Sequence, residues 1–197
     1  MSASGDDNRS VRFTKTRIRT AFFELMQTKN VQKITVAEIV RKADISRATF
    51  YLHYTDIFDL LKQTEDVIIT QVLDEIKKFD ESTYVMGEFP IAMRVFEVFN
   101  AHANEIELLL GENGDSGFRD KFQTAMSNYF KNLLSFIIPE SDNLDNVLVF
   151  LVSGVLNMFL HNLKSETPAD INTLAMIANR YLRATNKLIG LPEIEPD

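Results

Sequence analysis

Residues Ile34–Tyr54 read ITVAEIVRKADISRATFYLHY. This stretch decides the fold. Thr35 stands three before Glu38, a T-x-x-E capping box that opens a short helix over Val36–Ala43. The spacing of Val36, Ile39, Val40 and Ala43 gives that helix an inner stripe. Asp44-Ile45 makes a tight turn, and Ser46 is placed to cap a second short helix. Asp stands where many such turns carry Gly; it tolerates left-handed backbone better than most residues. In the second helix Phe50 and Tyr54 lie four apart and face a core. Arg47, Thr49, Tyr51 and His53 point elsewhere, and all can hydrogen-bond phosphates or base edges. Two capped short helices about three residues apart form a helix-turn-helix, whose second helix enters a major groove.

The charge pattern agrees. The whole chain of 197 residues carries a formal net charge of −7, which by itself argues against a nucleic-acid partner. Arg9–Tyr54, however, holds ten bases (Arg9, Arg12, Lys15, Arg17, Arg19, Lys29, Lys33, Arg41, Lys42 and Arg47) and three acids (Glu24, Glu38 and Asp44). That segment is therefore +7, and the remainder is −14. DNA affinity follows the local charge facing phosphates, so a basic head on an acidic body suits it. The plainer alternative is three ordinary bundle helices with a basic surface. A merely solvated face rarely shows Tyr51 beside Arg47 and Thr49.

Outside this stretch the periodicity stays helical, so the chain reads all-α: an N-terminal three-helix domain with the helix-turn-helix, then a helical body. Residues 1–9 read as a disordered tail, 10–56 as the DNA-binding domain, 57–190 as the regulatory and dimerisation domain, and 191–197 as a tail. A first helix is expected from Ser10 to Thr28, with Ile18, Ala21, Phe22, Leu25 and Met26 inward. A fourth should run from Asp56 to Phe79 on a stripe of Phe58, Leu61, Ile68, Val72 and Ile76. Pro90 suits the first position of a helix reaching Ala103. Glu105–Leu110 reads as a short apolar turn and Gly111–Gly117 as a loop. Helices follow over Phe118–Ile138, stopped by Pro139, then Asp145–Leu163 and Ala169–Leu188.

Composition narrows the chemistry. With no Cys there is no disulfide framework, thiolate nucleophile or Cys-type zinc site. No phosphate-binding Gly loop or nucleophile elbow appears, so no catalytic residue, cofactor or enzyme activity is expected. His53, His102 and His161 are far apart in sequence, and no metal site is expected. The N-terminus lacks the pattern of a signal peptide. The apolar run Val147–Leu160 is shorter than the roughly 20 residues that span a bilayer, so a buried helix is expected. A cytoplasmic protein without a membrane partner fits.

The residues T-V-A-E-I-V from Thr35 and S-R-A-T-F-Y-L-H-Y from Ser46 resemble the DNA-binding domain of the tetracycline-repressor (TetR) family of transcriptional regulators. The resemblance covers about residues 12–62. Phe150–Leu163 and Thr167-Pro168 are similar to the last helices of a Gram-positive branch. The resemblance implies a homodimer on a palindromic double-stranded DNA operator, repression as the commoner outcome, and a small-molecule effector in the body. It implies a phosphate contact at Thr35 and base-edge contacts at Arg47 and Ala48. Thr49, Tyr51 and His53 would hold phosphates, with Lys15 and Arg17 adding backbone contacts. Many members carry a phosphate-gripping Lys where this chain has Ile57.

Two further sites are expected. Phe96, Phe99, His102, Phe122, Met126 and Tyr129 could line an apolar ligand cavity, though plain core explains most such residues. Phe150, Leu151, Gly154, Val155, Met158 and Phe159, with Leu174, Ile177, Ala178 and Tyr181, give broad apolar faces for a four-helix dimer seam. The rival reading is a helical small-molecule-binding protein without DNA activity.

Overall fold

The structure is a computed structural model describing residues 3–78, 90–134 and 143–186. Every regular element among them is helical: α1 (Ala3–Met26), a 3₁₀ turn (Val31–Lys33), α2 (Val36–Lys42), α3 (Arg47–Tyr51), α4 (Ile57–Lys77), α5 (Pro90–Ala101), α6 (Ala103–Leu110), α7 (Phe118–Leu134), α8 (Leu144–Leu163) and α9 (Ile171–Asn186). The expected all-α architecture is what is found. Phe79, Pro139, the expected helix ends at Ile138 and Leu188, and the 191–197 tail lie outside the described residues.

The chain forms two compact units: Met1–Ile68 with Asn104–Phe118, and Ile69–Ala103 with Arg119–Asp197. The division falls inside α4, beyond the boundary expected at Asp56, because the first turns of α4 complete the N-terminal core. That core is Ile18, Phe22 and Met26 of α1, Ile39 of α2, Phe50 of α3 and Leu60 of α4, all fully buried.

Three expectations need correction here. Helix α1 begins at Ala3, so helical backbone runs through most of the segment expected to be disordered. Phe58 is 62% exposed. The other four residues of the expected α4 stripe, Leu61, Ile68, Val72 and Ile76, are buried, and Ile57, Leu60 and Thr64 are buried with them. Glu105–Leu110 is not a turn but most of helix α6.

Segment Asn104–Phe118 is held to the N-terminal core by hydrogen bonds that no local pattern announces. The Val31 amide donates to the Asn113 carbonyl at 2.9 Å. Asn113 Nδ2 donates to the Met26 carbonyl at 3.0 Å, and Asn30 Nδ2 to the Glu112 carbonyl at 3.2 Å. Gly114 is required by close approach: a Cβ there would lie 2.0 Å from the Leu109 carbonyl oxygen.

In the second unit, α5 packs along α9 and α9 against α8. Phe159 of α8 is its aromatic centre, 5.1 Å from Phe99 and 6.4 Å from Phe96 between ring centroids. Gln123 Nε2 of α7 donates to Ser153 Oγ of α8 at 2.9 Å, and Arg119 Nη1 to Asn157 Oδ1 at 3.0 Å. Helix α8 has 20 residues, with a mean hydropathy of 1.6 over its most apolar window, long and apolar enough to cross a membrane. Only one face is buried, carrying Leu144, Val147, Leu148, Leu156 and Phe159. This corrects the expectation of a simply buried helix.

Candidate nucleic-acid interface

Helix α2 starts as its sequence dictates. Thr35 Oγ1 accepts from the Glu38 amide at 3.4 Å, and the Thr35 amide donates to Glu38 Oε2 at 3.0 Å. Both arms of the capping box are therefore made. Thr35 Oγ1 also donates to Glu38 Oε2 at 2.8 Å, so its proton is committed within the box. Lys29 Nζ reaches both carboxylate oxygens, at 2.7 and 2.8 Å. The Lys29 hydrogen bond, then those from Thr35, pull the Glu38 carboxyl from 4.5 to about 2.

A depressed carboxylate stabilises the fold above its unfolded value, and the gain is lost as pH falls toward the folded one. Stability should therefore decline between about pH 4.5 and about pH 2 through this group. Glu38→Gln should flatten that part of the profile, measured as urea midpoints across the window. An unchanged slope would show that the Lys29–Glu38–Thr35 cluster does not persist in solution.

The turn ends α2 in a Schellman arrangement. The Ile45 amide donates to the Val40 carbonyl at 3.0 Å and the Asp44 amide to the Arg41 carbonyl at 3.4 Å. Asp44 takes φ 50°, the left-handed conformation expected of it. Arg17 of α1 braces this turn: Nη2 donates to the Asp44 carbonyl at 2.9 Å and to its Oδ2 at 3.2 Å. Helix α3 then begins at Ser46, whose Oγ accepts from the Thr49 amide at 2.9 Å.

Helix α3 ends at Tyr51, earlier than expected, so His53 and Tyr54 lie in the turn that follows it, and helix and turn together separate inward from outward residues. Phe50 and Tyr54 are buried, with ring centroids 5.7 Å apart. Burial pushes the Tyr54 hydroxyl up from its ordinary pKa. Arg47, Ala48 and Tyr51 are exposed, while Thr49 and His53 are half-buried. The hydroxyls of Ser46 and Thr49 lie 2.8 Å apart. Beside Tyr51 stands Leu52, 80% exposed, an apolar contact that the sequence reading did not single out. Its adjacency to the outward face was the available signal.

The two basic residues of α1 stand differently. Lys15 Nζ donates to Gln63 Oε1 at 3.2 Å and lies 5.5 Å from the Tyr54 ring centroid. Arg17 is tied to the turn and lies over the exposed Phe13 ring at 5.9 Å. Among the charges of Arg9–Tyr54, all three acids pair with a base: Glu24 with Lys42, Glu38 with Lys29 and Asp44 with Arg17. The positive balance thus rests on the other bases, among them exposed Arg9, Arg12, Arg41 and Arg47. Ile57 is buried, so the place where many relatives of this pattern carry Lys belongs here to the core.

The other expected sites separate in the same way. Phe96, Phe99, Phe122 and Met126 are buried, and Phe122 lies 5.6 Å from Phe99. His102 and Tyr129 are half-buried. Of the seam residues, Phe150 is 62% and Tyr181 is 59% exposed, while Phe159, Leu174 and Ala178 are core within one chain. Gly154 is exposed, and Val155 and Met158 are half-buried.

Residues 18–64 match the family of bacterial regulatory proteins described as the tetR family. The chain is 31% identical over 124 residues to the uncharacterized HTH-type transcriptional regulator YvdT of Bacillus subtilis (strain 168), spanning 61% of this chain and 63% of that protein. It is 27% identical over 135 residues to an uncharacterized HTH-type transcriptional regulator of Haemophilus influenzae, spanning 64% and 63%. The match thus spans less than two thirds of either relative's length. The fold is similar to the crystal structure of a TetR transcriptional regulator from Streptococcus agalactiae 2603V, with a TM-score of 0.64 at 21% identity over 90% of this chain and 97% of that one. The helix-turn-helix thus lies inside a segment, residues 18–64, that matches the tetR family of bacterial regulatory proteins, and the fold of the chain is similar to that of a TetR regulator.

Proposed function

We propose that the protein is a cytoplasmic, homodimeric transcriptional regulator, acting as a repressor, whose grip on a palindromic operator is released by a small-molecule effector. The observation that carries the reading is α3, capped at Ser46, with Arg47, Ala48 and Tyr51 exposed and Phe50 and Tyr54 locked below. Two such helices would enter successive major grooves about 34–36 Å apart. Arg47 would pair with a guanine edge and Ala48 would touch a thymine methyl. Thr49, Tyr51 and His53 would fix register on phosphates. A phosphate at Thr35 would meet a hydroxyl already donating to Glu38, so the contact requires that proton to change partner.

Release has a candidate route. Segment Asn104–Phe118 clusters with the DNA-binding unit, yet in the chain it lies between α5 and α7 of the other unit. An effector that moves α5 or α7 would pull on a segment tied to Met26, Asn30 and Val31 at the entry to α2. Such an effector acts by preferring one body conformation. If it enters among Phe96, Phe99, His102, Phe122, Met126 and Tyr129, it must part rings already in contact.

The test is a mobility-shift titration on the protein's own upstream DNA across a salt series. Arg47→Ala should relax preference at one base pair by about 1–3 kcal/mol. Lys15→Ala should weaken all sequences alike, with a smaller salt slope. Arg17→Ala should lower thermal stability and weaken binding with the slope unchanged, because its guanidinium holds the Asp44 turn. No complex at low salt with the wild-type protein would sink the reading and favour a ligand-binding protein without DNA activity.

A further inference from the structure

Among the described residues, the most exposed large apolar side chain stands at the end of α3. Leu52 is 80% exposed. It follows the last residue of the helix, yet its backbone is still helical, at φ −70° and ψ −21°, and its amide donates to the Ala48 carbonyl at 3.1 Å. Helical spacing therefore holds from Arg47 to Leu52. At about 100° per residue, Ala48 and Leu52 each lie about 160° round the axis from buried Phe50. Four residues apart, they share one ridge, opposite the face anchored in the core. Exposed Arg47 and Tyr51 flank this ridge on one side and half-buried Thr49 on the other. The outermost ridge of the helix is thus apolar between polar flanks. A single exposed Leu on an ordinary surface needs no explanation. On the ridge that enters a major groove it meets base edges.

We propose that Leu52 is a second reader of thymine beside Ala48, so that each half of the operator carries two thymines within about two base pairs of one another. The inference rests on the regulatory reading and deepens it. Among the groups that distinguish base pairs in the major groove, the thymine 5-methyl is the apolar one, and the others are hydrogen-bond donors and acceptors. Leu52 has no side-chain atom that could pair with those. Set against them it would strip water from polar edges without replacing it. Against a methyl, both surfaces leave water with a gain. The spacing fits: Cβ atoms four apart on a helix stand about 5–6 Å from each other, and successive base pairs rise about 3.4 Å. Arg47 beside the ridge and Arg41 at the end of α2 are both exposed, which suits an anionic duplex rather than an apolar protein partner. Leu52 lies at the far end of the ridge from Arg47. Its thymine therefore stands beyond that of Ala48, away from the guanine.

The test uses a duplex selected by the full wild-type chain from a random library. Each thymine of that duplex is replaced singly by deoxyuridine, which lacks only the methyl. Two positions in each half-site should weaken binding about fourfold, the worth of one buried methyl group. Leu52→Ala should remove the penalty at one of the two, the one farther from the guanine whose preference Arg47→Ala relaxes, and keep it at the other. Leu52→Met should retain both. With guanine opposite, 5-methylcytosine at the Leu52 position should bind tighter than cytosine by a similar factor. Both variants should melt near the wild type, since the side chain replaced is exposed. Deoxyuridine penalties equal in wild type and Leu52→Ala at every position would overturn the proposal. So would a changed sedimentation coefficient of free Leu52→Ala, which would assign Leu52 to a contact between copies of the chain. A library that yields no preferred duplex would sink the regulatory reading itself. A preferred duplex indifferent to its thymine methyls would sink this inference alone.

Discussion

Replacing Gly154 with arginine should convert the protein to a monomer in sedimentation velocity and remove specific operator binding, while its helical content stays near wild type. The contrast arises from where Gly154 sits. It lies on the outer face of α8 near the exposed Val149 and Phe150. A Cβ built there meets nothing within 4 Å. An arginine therefore finds open space in the single chain, and replacing glycine inside a helix favours the helix by up to about 1 kcal/mol. What it disturbs is whatever covers that face, where a bulky charge would be buried without a partner. Two recognition helices joined in one dimer gain from effective concentration, and uncoupling them costs about 10²–10⁴ in affinity. A dimer that persists in Gly154→Arg would move the seam away from α8, and the operator result would then have to be read separately.

How far the sequence spoke depends on the range of the interaction. The helix-turn-helix was legible because its determinants are local: Thr35 with Glu38, Ser46 with Thr49, Phe50 with Tyr54. The role of Arg17 was not, because its partner Asp44 lies 27 positions away and pairing across folded helices has no periodic signature. The same holds for Asn113, which bonds a carbonyl 87 positions earlier. In α4 one stripe residue was misjudged, since Ile57 and Phe58 are both apolar and only packing chooses between them. Helix α8 is apolar almost all round. Its sequence therefore could not separate buried Leu156 and Phe159 from exposed Val149 and Phe150. Aromatic composition likewise suits a filled core and a ligand cavity equally well, and the packing of Phe99 bears on which is present.

Phe99→Ala should cost about 3–5 kcal/mol of stability, the usual toll for emptying a packed aromatic site. For a chain of this size that lowers the melting temperature by roughly 6–20 °C. Phe99 is buried between Phe122 at 5.6 Å and Phe159 at 5.1 Å, both edge-on, the arrangement in which ring quadrupoles attract. Removing the ring strips contacts from α7 and α8 together, and the flanking rings cannot collapse fully into the gap. The space left is apolar, so it should stay dry and accept a small aromatic guest. Benzene should therefore raise the melting temperature of Phe99→Ala in a concentration-dependent way and leave the wild type unmoved. A loss below about 1 kcal/mol, or benzene binding to the wild type, would mean that Phe96, Phe99 and Phe122 already border an open cavity. The effector site expected at those residues would then be preformed. The full loss with guest rescue only in the variant would mean instead that any effector entering there must first separate rings that now hold one another.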